Sequence, residues 1–185
     1  MPLSLEQGRA AVRIARQTLD AHISGSSLER PSTEGIFAQS RGVFVTINRA
    51  ERLPDRLRGC IGFPYPVKAL GEAIRDATVA AASEDPRFPP VAKGELGSLV
   101  LEVSVLTEPE VLRAAKPQDR AKGVRIGTDG LIISRFGRSG LLLPQVATEF
   151  GMGQVEFLSQ ACMKAGLPPD SWLDKETEVK TFQAE

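Results

Sequence analysis

At 185 residues the chain has room for one domain of ordinary size, or one carrying a small lobe, with a core that needs no staple. A composition of 42% hydrophobic and 25% charged residues is that of a globular protein in water, and no apolar run approaches the about 18 residues of a membrane span. Lys plus Arg and Asp plus Glu both total 23, a balance that argues against a dedicated nucleic-acid binder, whose affinity depends on an excess of cationic phosphate contacts.

In chain order, "SLEQ" at 4–7 has the form of a capping box, and Leu5, Val12, Ala15, Leu19 and Ile23 recur at helical spacing, predicting an amphipathic first helix. Charges interrupt its apolar residues, so it lacks the h-region of a secretory signal, and a cytoplasmic chain with reduced cysteines is expected. The single histidine, His22, falls at the helix end, where imidazole is commonly a favourable surface group. Residues 24–41 read as a loop. "GVFVTINR" then alternates as a strand with Val43, Val45 and Ile47 on one side. "AERLPD" predicts a turn, and "RLRGCIG" at 56–62 a short second strand with Cys60 at or just past its end. Gly59 and Gly62 there imply positive φ, a bulge or the close approach of another group. Arg49, Arg52, Arg56 and Arg58 alternate with Glu51 and Asp55, a self-neutralised face, with a basic rim around Cys60 as the functional alternative.

From Val67 to Ala82 an alanine-rich helix is predicted, closed by "SEDPRFPP", whose three prolines hold Arg87 and Phe88 on a stiff non-helical segment. "LGSLVLEVSVLTE" is the longest strand signal and predicts a central strand. After a polar, proline-containing stretch at 107–122, "VRIGTDGLIIS" predicts a hairpin about Asp129 and Gly130. "GRSG" reads as a turn, "LLLPQVATEF" as a strand entering a short helix, and "QVEFLSQACMKAGL" as a helix with Val155, Leu158, Ala161, Cys162 and Ala165 on its apolar face. "VKTFQA" predicts an edge strand. Mixed elements without a βαβ period give an α+β class with a mainly antiparallel sheet flanked by helices.

Missing motifs narrow the chemistry. With no CxxC pair and one histidine, no metal site is predicted, and no cofactor is implied. Neither GxGxxG nor GxxxxGK[ST] is present, so phosphate cradles lack support. "GRSGL" lacks the spacing of a nucleophile elbow, leaving Ser139 a turn residue.

The hexapeptide "LRGCIG" at 57–62 resembles the hallmark of the AMMECR-one domain family, also called AmmeMemoRadiSam system protein A. The resemblance continues, in order, through "GVFVTI" upstream, "DPRFPP" at 85–90, "SGLLLPQVA" at 139–147 and "CMKAGLPPDSWLD" at 162–174. Where the family often has a Trp-Asp pair and a His-Gly, this chain has "FGMGQ" and Asp129-Gly130. The resemblance implies a single domain over 1–185, with a larger lobe from both chain ends, a smaller inserted lobe, and the hexapeptide near a cleft between them. It implies companionship with a Memo-like protein and a radical SAM protein, and no established activity. Ligand-binding candidates are Arg58, Gly59, Ile61 and Gly62, with Arg87, Pro144 and Gln145.

As a nucleophile, Cys60 needs activation, because a thiol of pKa near 8.5 is only a few per cent thiolate at neutral pH. Arg58 and Arg87 are the electrostatic candidates, although arginine cannot accept a proton. Glu149 is the candidate base. The backbone N–H groups of 59–62 form an anion nest in a competing reading. Two functions follow: a ligand-binding or accessory module serving those partners, or a cysteine-dependent enzyme acting on a small anionic substrate in the interlobe cleft.

Overall fold

The computed structural model describes residues 3–27, 34–51 and 56–185. The predicted turn "AERLPD", with Arg52, falls largely outside them. The chain divides into two compact units, one of residues 1–106 with Glu185, the other of 107–184. Both sheets are antiparallel and both units carry helices, so the α+β class holds. Among the described residues no helix is long and apolar enough to cross a membrane.

The first unit opens with helix α1 (Leu5–Ser24), whose N-cap Ser4 and Gln7 form the predicted capping box and whose C-cap Gly25 sits at φ 69°. Its buried stripe is Ala11, Ala15, Thr18 and Leu19, rotated from the predicted one; Leu5 is 73% exposed and Val12 is exposed too. α1 packs against helix α2 (Leu70–Ser83), and alanines on both sides permit that approach, which larger side chains would hold apart. α2 begins later than predicted because residues 64–69 are spent on a turn, with the N–H of Val67 bonded to the carbonyl of Tyr65. A short 3₁₀ turn, Gly35–Ala38, interrupts the predicted loop.

Under these helices lies a three-stranded sheet in the order β2-β1-β3, with β1 at Gly42–Arg49, β2 at Leu57–Phe63 and β3 at Leu99–Leu106. Val43, Val45 and Ile47 of β1 are fully buried against the helices, as their alternation predicts. β3 is an edge strand, not the central one. Its apolar run reports one buried face and says nothing of how many neighbours it has; the backbone of Glu185 bonds its outer edge at Val105, both ways, at 2.9 and 3.0 Å.

The second unit has a four-stranded sheet in the order β4-β7-β5-β6, made of Glu110–Val111, Glu178–Phe182, Gly130–Arg135 and Arg138–Leu142. The predicted hairpin about Asp129 and Gly130 is displaced. Residues 124–129 form a turn in which the Asp129 carboxylate accepts from Arg125 N, Nε and Nη2 at 2.9, 3.1 and 2.7 Å, and β5 starts only at Gly130. The true turn joins β5 to β6 through Phe136 and Gly137, both at positive φ (50° and 75°), the primed geometry that suits twisted strands. "GRSG" therefore belongs largely to β6. β7 is interior, not an edge, because the short β4 pairs with its outer side.

Helix α3 (Pro144–Glu149) and helix α4 (Gln154–Lys164) follow β6. Phe157, Leu158, Ala161 and Cys162 of α4 enter the core with Leu131, Ile133 and Trp172, while Val155 is exposed. Both cysteines are free thiols. Burial pushes the Cys162 thiol up, away from the reactive thiolate.

Candidate functional site

Cys60 lies mid-strand in β2, not at a strand end, because β1 pairs with residues on both sides of it. Gly59, Ile61 and Phe63 are paired with Ile47, Val45 and Val43 on the helix side; Cys60 and Gly62 are paired with Thr46 and Phe44 on the other. The glycines serve close approach, not positive φ. A Cβ on Gly59 would lie 2.1 Å from the Ala81 carbonyl oxygen of α2, and one on Gly62 would meet the Val43 oxygen at 2.2 Å and the Phe44 ring at 2.5 Å. Gly59 thus sets how closely α2 approaches the strand, and Gly62 lets the Phe44 ring lie over it.

β2 is an edge strand, and the edge at Cys60 is closed by side chains. The Cys60 N–H donates to Asp85 Oδ2 at 2.9 Å, and Arg87 Nη2 donates to the Cys60 carbonyl at 3.4 Å. A carboxylate and a guanidinium from the 84–91 loop therefore stand in for the missing neighbour strand. Arg87 also forks onto Asp85, Nε to Oδ1 at 2.9 Å and Nη2 to Oδ2 at 2.7 Å, while its backbone N–H reaches Oδ1 at 3.1 Å. Asp85 is 4% exposed, and these donors, Arg87 foremost, hold its carboxyl down from the ordinary 3.8 to about 2. Because the Cys60 N–H points outward, alternation turns those of Gly59 and Ile61 toward β1, and no nest of successive N–H groups forms.

Arg58 is the bulge. Pairing passes from Ile47↔Gly59 to Asn48↔Leu57, leaving Arg58 without a partner on β1. Its side chain is 3% exposed and its guanidinium is bonded all round: Nε to Glu95 Oε2 at 2.8 Å, Nη2 to Glu95 Oε1 at 3.0 Å, Nη1 to the Pro89 carbonyl at 2.8 Å and Nη2 to that of Pro90 at 3.2 Å. Arg58 ties β2 to the proline loop and to the 3₁₀ turn Lys93–Ser98 that carries Glu95. The guanidinium beside Glu95 brings that carboxyl to about 2.

At the thiol itself, the hydroxyl of Thr46 donates to Cys60 Sγ at 3.2 Å. The structure thus brings Arg58, Gly59, Cys60, Ile61, Gly62 and Arg87 together on one strand and the loop beside it. Pro144, Gln145 and Glu149 belong to α3 in the second unit: Pro144 is the first helical residue and buried, the Gln145 carbonyl accepts from the Thr148 hydroxyl at 2.8 Å, and Glu149 ends the helix exposed. His22 spends Nε2 on the Ser83 hydroxyl at 2.7 Å.

Sequence reasoning missed Asp85, Glu95 and Thr46. Asp85 opens the "DPRFPP" block and had a signal in that position; Thr46 and Glu95 emerge only from strand register and loop path. Asp85→Asn gives a test of the clamp. A carboxyl with a depressed folded-state pKa stabilises above its unfolded value and loses that contribution as pH falls toward its folded value. Wild type is expected to lose stability between about pH 4 and 2 more steeply than Asp85→Asn, read from denaturant midpoints across that range.

A family model described as AMMECR1 matches residues 12–185. A protein of Methanothermobacter thermautotrophicus is 50% identical over 186 residues, spanning 100% of this chain and 95% of its own length. One from Thermococcus onnurineus is 49% identical over 183 residues, spanning 97% and 89%. The crystal structure of an uncharacterized protein from Pyrococcus horikoshii matches with a TM-score of 0.93 at 46% identity, covering 99% of this chain and 91% of that one. A hexapeptide strand clamped at Cys60, a match over nearly the whole length and a shared fold lead to one conclusion: the chain belongs to the AMMECR1 family.

Proposed function

We propose that this chain is a cytoplasmic ligand-binding or accessory module that works with Memo-like and radical SAM partners, with the strand about Cys60 as the place where its small-molecule ligand is met. The observation that carries this reading is how the charges there are used. Asp85 accepts from the Cys60 N–H, Arg58 donates to the Pro89 and Pro90 carbonyls, and Glu95 accepts from the Ala92 N–H and from Arg58, which makes a stiff, preformed edge and leaves none of them available as an acid or base. Arg87, with its side chain 53% exposed, is the group with surface left for an anionic ligand.

The second reading is a cysteine-dependent enzyme acting on a small anionic substrate. It is favoured by a partly buried thiol that already accepts a hydrogen bond from Thr46. Cys60→Ala separates the two. On the first reading the variant keeps its melting temperature, its co-purification with the Memo-like and radical SAM proteins, and the metabolites it retains in a pull-down. Loss of ligand capture or of partner-dependent activity at unchanged melting temperature would favour the enzyme.

A further inference from the structure

The sheet of the first unit has a second edge, at β3, and side chains close it only at one end. Val105 spends its outward N–H and C=O on Glu185, and alternation along an antiparallel strand turns the N–H and C=O of Val103 and Leu101 the same way. Those groups have no partner among the described residues, whereas at the far end Arg16 Nη1 donates to the Leu99 carbonyl at 3.3 Å. Alongside the open stretch runs a groove of about 620 Å³ between β3 and α1, lined by Leu3, Leu5, Gly8, Arg9, Val12 and Val103. Leu5 and Val12, the exposed apolar residues of α1, lie seven apart on one helix face, and Gly8 between them leaves open space above it. Arg9 is exposed beside them and is in no ion pair among the described residues. The Glu185 carboxylate at the end of the groove accepts from the Leu3 N–H. An open strand edge next to an apolar wall is the setting in which proteins take up an extended peptide as an added strand.

We infer that the β3 edge is a docking site for an extended segment of a partner protein, added as a further antiparallel strand, with apolar side chains opposite Val103 and Leu101 and a carboxylate for Arg9. Cys60, on the opposite edge strand β2, plays no part in it. Glu185 shows the mode of pairing: its backbone takes one slot of this edge by exchanging both hydrogen bonds with Val105, at 2.9 and 3.0 Å. A strand laid on the edge in the same sense offers main-chain partners to Val103 and Leu101, and its residues opposite them point to the helix side, where Leu5 and Val12 stand. The cationic wall at Arg9 is complemented by an acidic group on the segment. A second copy of this chain fits worse. The two-fold register that pairs the open Val103 of one copy with Leu101 of the other sets Glu102 opposite Glu102, and like charges directly opposite are destabilising.

The experiment follows the fluorescence anisotropy of a labelled peptide, Val-Thr-Val-Thr-Val-Asp, titrated with full-length wild type, Arg9→Glu, Val12→Lys and Val103→Pro, with melting curves for each. The same peptide N-methylated at its valines keeps every side chain and loses the donors that would face β3. Val103→Pro removes an outward N–H that no ladder bond uses, a change that edge strands tolerate. Strand addition requires saturable binding to wild type and a loss of about tenfold or more on N-methylation, in Val103→Pro and in Val12→Lys. Arg9→Glu should bind the acidic peptide more weakly and recover binding with a lysine-ended one, Val-Thr-Val-Thr-Val-Lys. Should Val103→Pro melt early, the methylated peptide carries the same test with the protein untouched. No saturable binding to wild type overturns the docking site. Equal binding of the methylated peptide overturns strand addition and leaves only an apolar adhesive patch. A dimer in sedimentation velocity that Val103→Pro dissociates overturns the partner segment and makes the occupant a second copy.

Discussion

Arg58→Ala is expected to destabilise the protein by ~2–3 kcal/mol, because a buried guanidinium is removed while its carbonyl partners and the partly exposed Glu95 carboxylate stay behind. Four guanidinium bonds disappear, and the Pro89 and Pro90 carbonyls and the Glu95 carboxylate lose their donor together. Arg58→Lys does not rescue, because an ammonium cannot fork onto Glu95 and reach two carbonyls in the same plane. Denaturant midpoints of Arg58→Ala, Glu95→Ala and the double variant complete a cycle, and a coupling near zero would disprove the pairing. The double variant should be less destabilised than the sum of the singles, since each single strands a charge that the double variant removes.

The second large effect is at Gly59. Gly59→Ala puts a methyl 2.1 Å from the Ala81 carbonyl oxygen, a backbone atom of α2 that cannot swing aside as a long side chain would. Relief requires α2 to shift away from β2, opening the small core of Leu19, Ile47, Ala81 and Ala82. The expected cost is ~2–3 kcal/mol or more, measured by denaturation. Gly94→Ala is the control: nothing lies within 4 Å of its added Cβ, and it should stay within about 0.5 kcal/mol of wild type. Equal losses at both positions would point to chain entropy and remove close approach as the reason for Gly59.

These two neighbours of Cys60 alter the meaning of the hexapeptide. Arg58 and Gly59 fasten the strand to a loop and a helix, and the functional question narrows to the face that carries Cys60 and Thr46 and to Arg87. The loop that supplies Arg87 is held from two directions, by Asp85 on Cys60 and by Arg58 on the prolines. A change in either anchor would be felt at the thiol.

Periodicity alone determined the α+β class, the capping box at Ser4, the buried face of β1 and the existence of β2, because each follows from short-range alternation or local hydrogen bonding. The block order "LRGCIG", "DPRFPP" and "SGLLLPQVA" sufficed to point to the family. Tertiary structure decided the remainder. Whether β3 or β7 is central depends on what pairs with its edges, and side-chain alternation is blind to edges. Asp129 looked like a hairpin residue because Asp-Gly suits a primed turn, yet Arg125 binds its carboxylate and the turn moved to Phe136 and Gly137. Glu95 and Thr46 acquire meaning only through register and loop path, which, as for Asp85, bring residues far apart in sequence to within one hydrogen bond of Arg58 and Cys60.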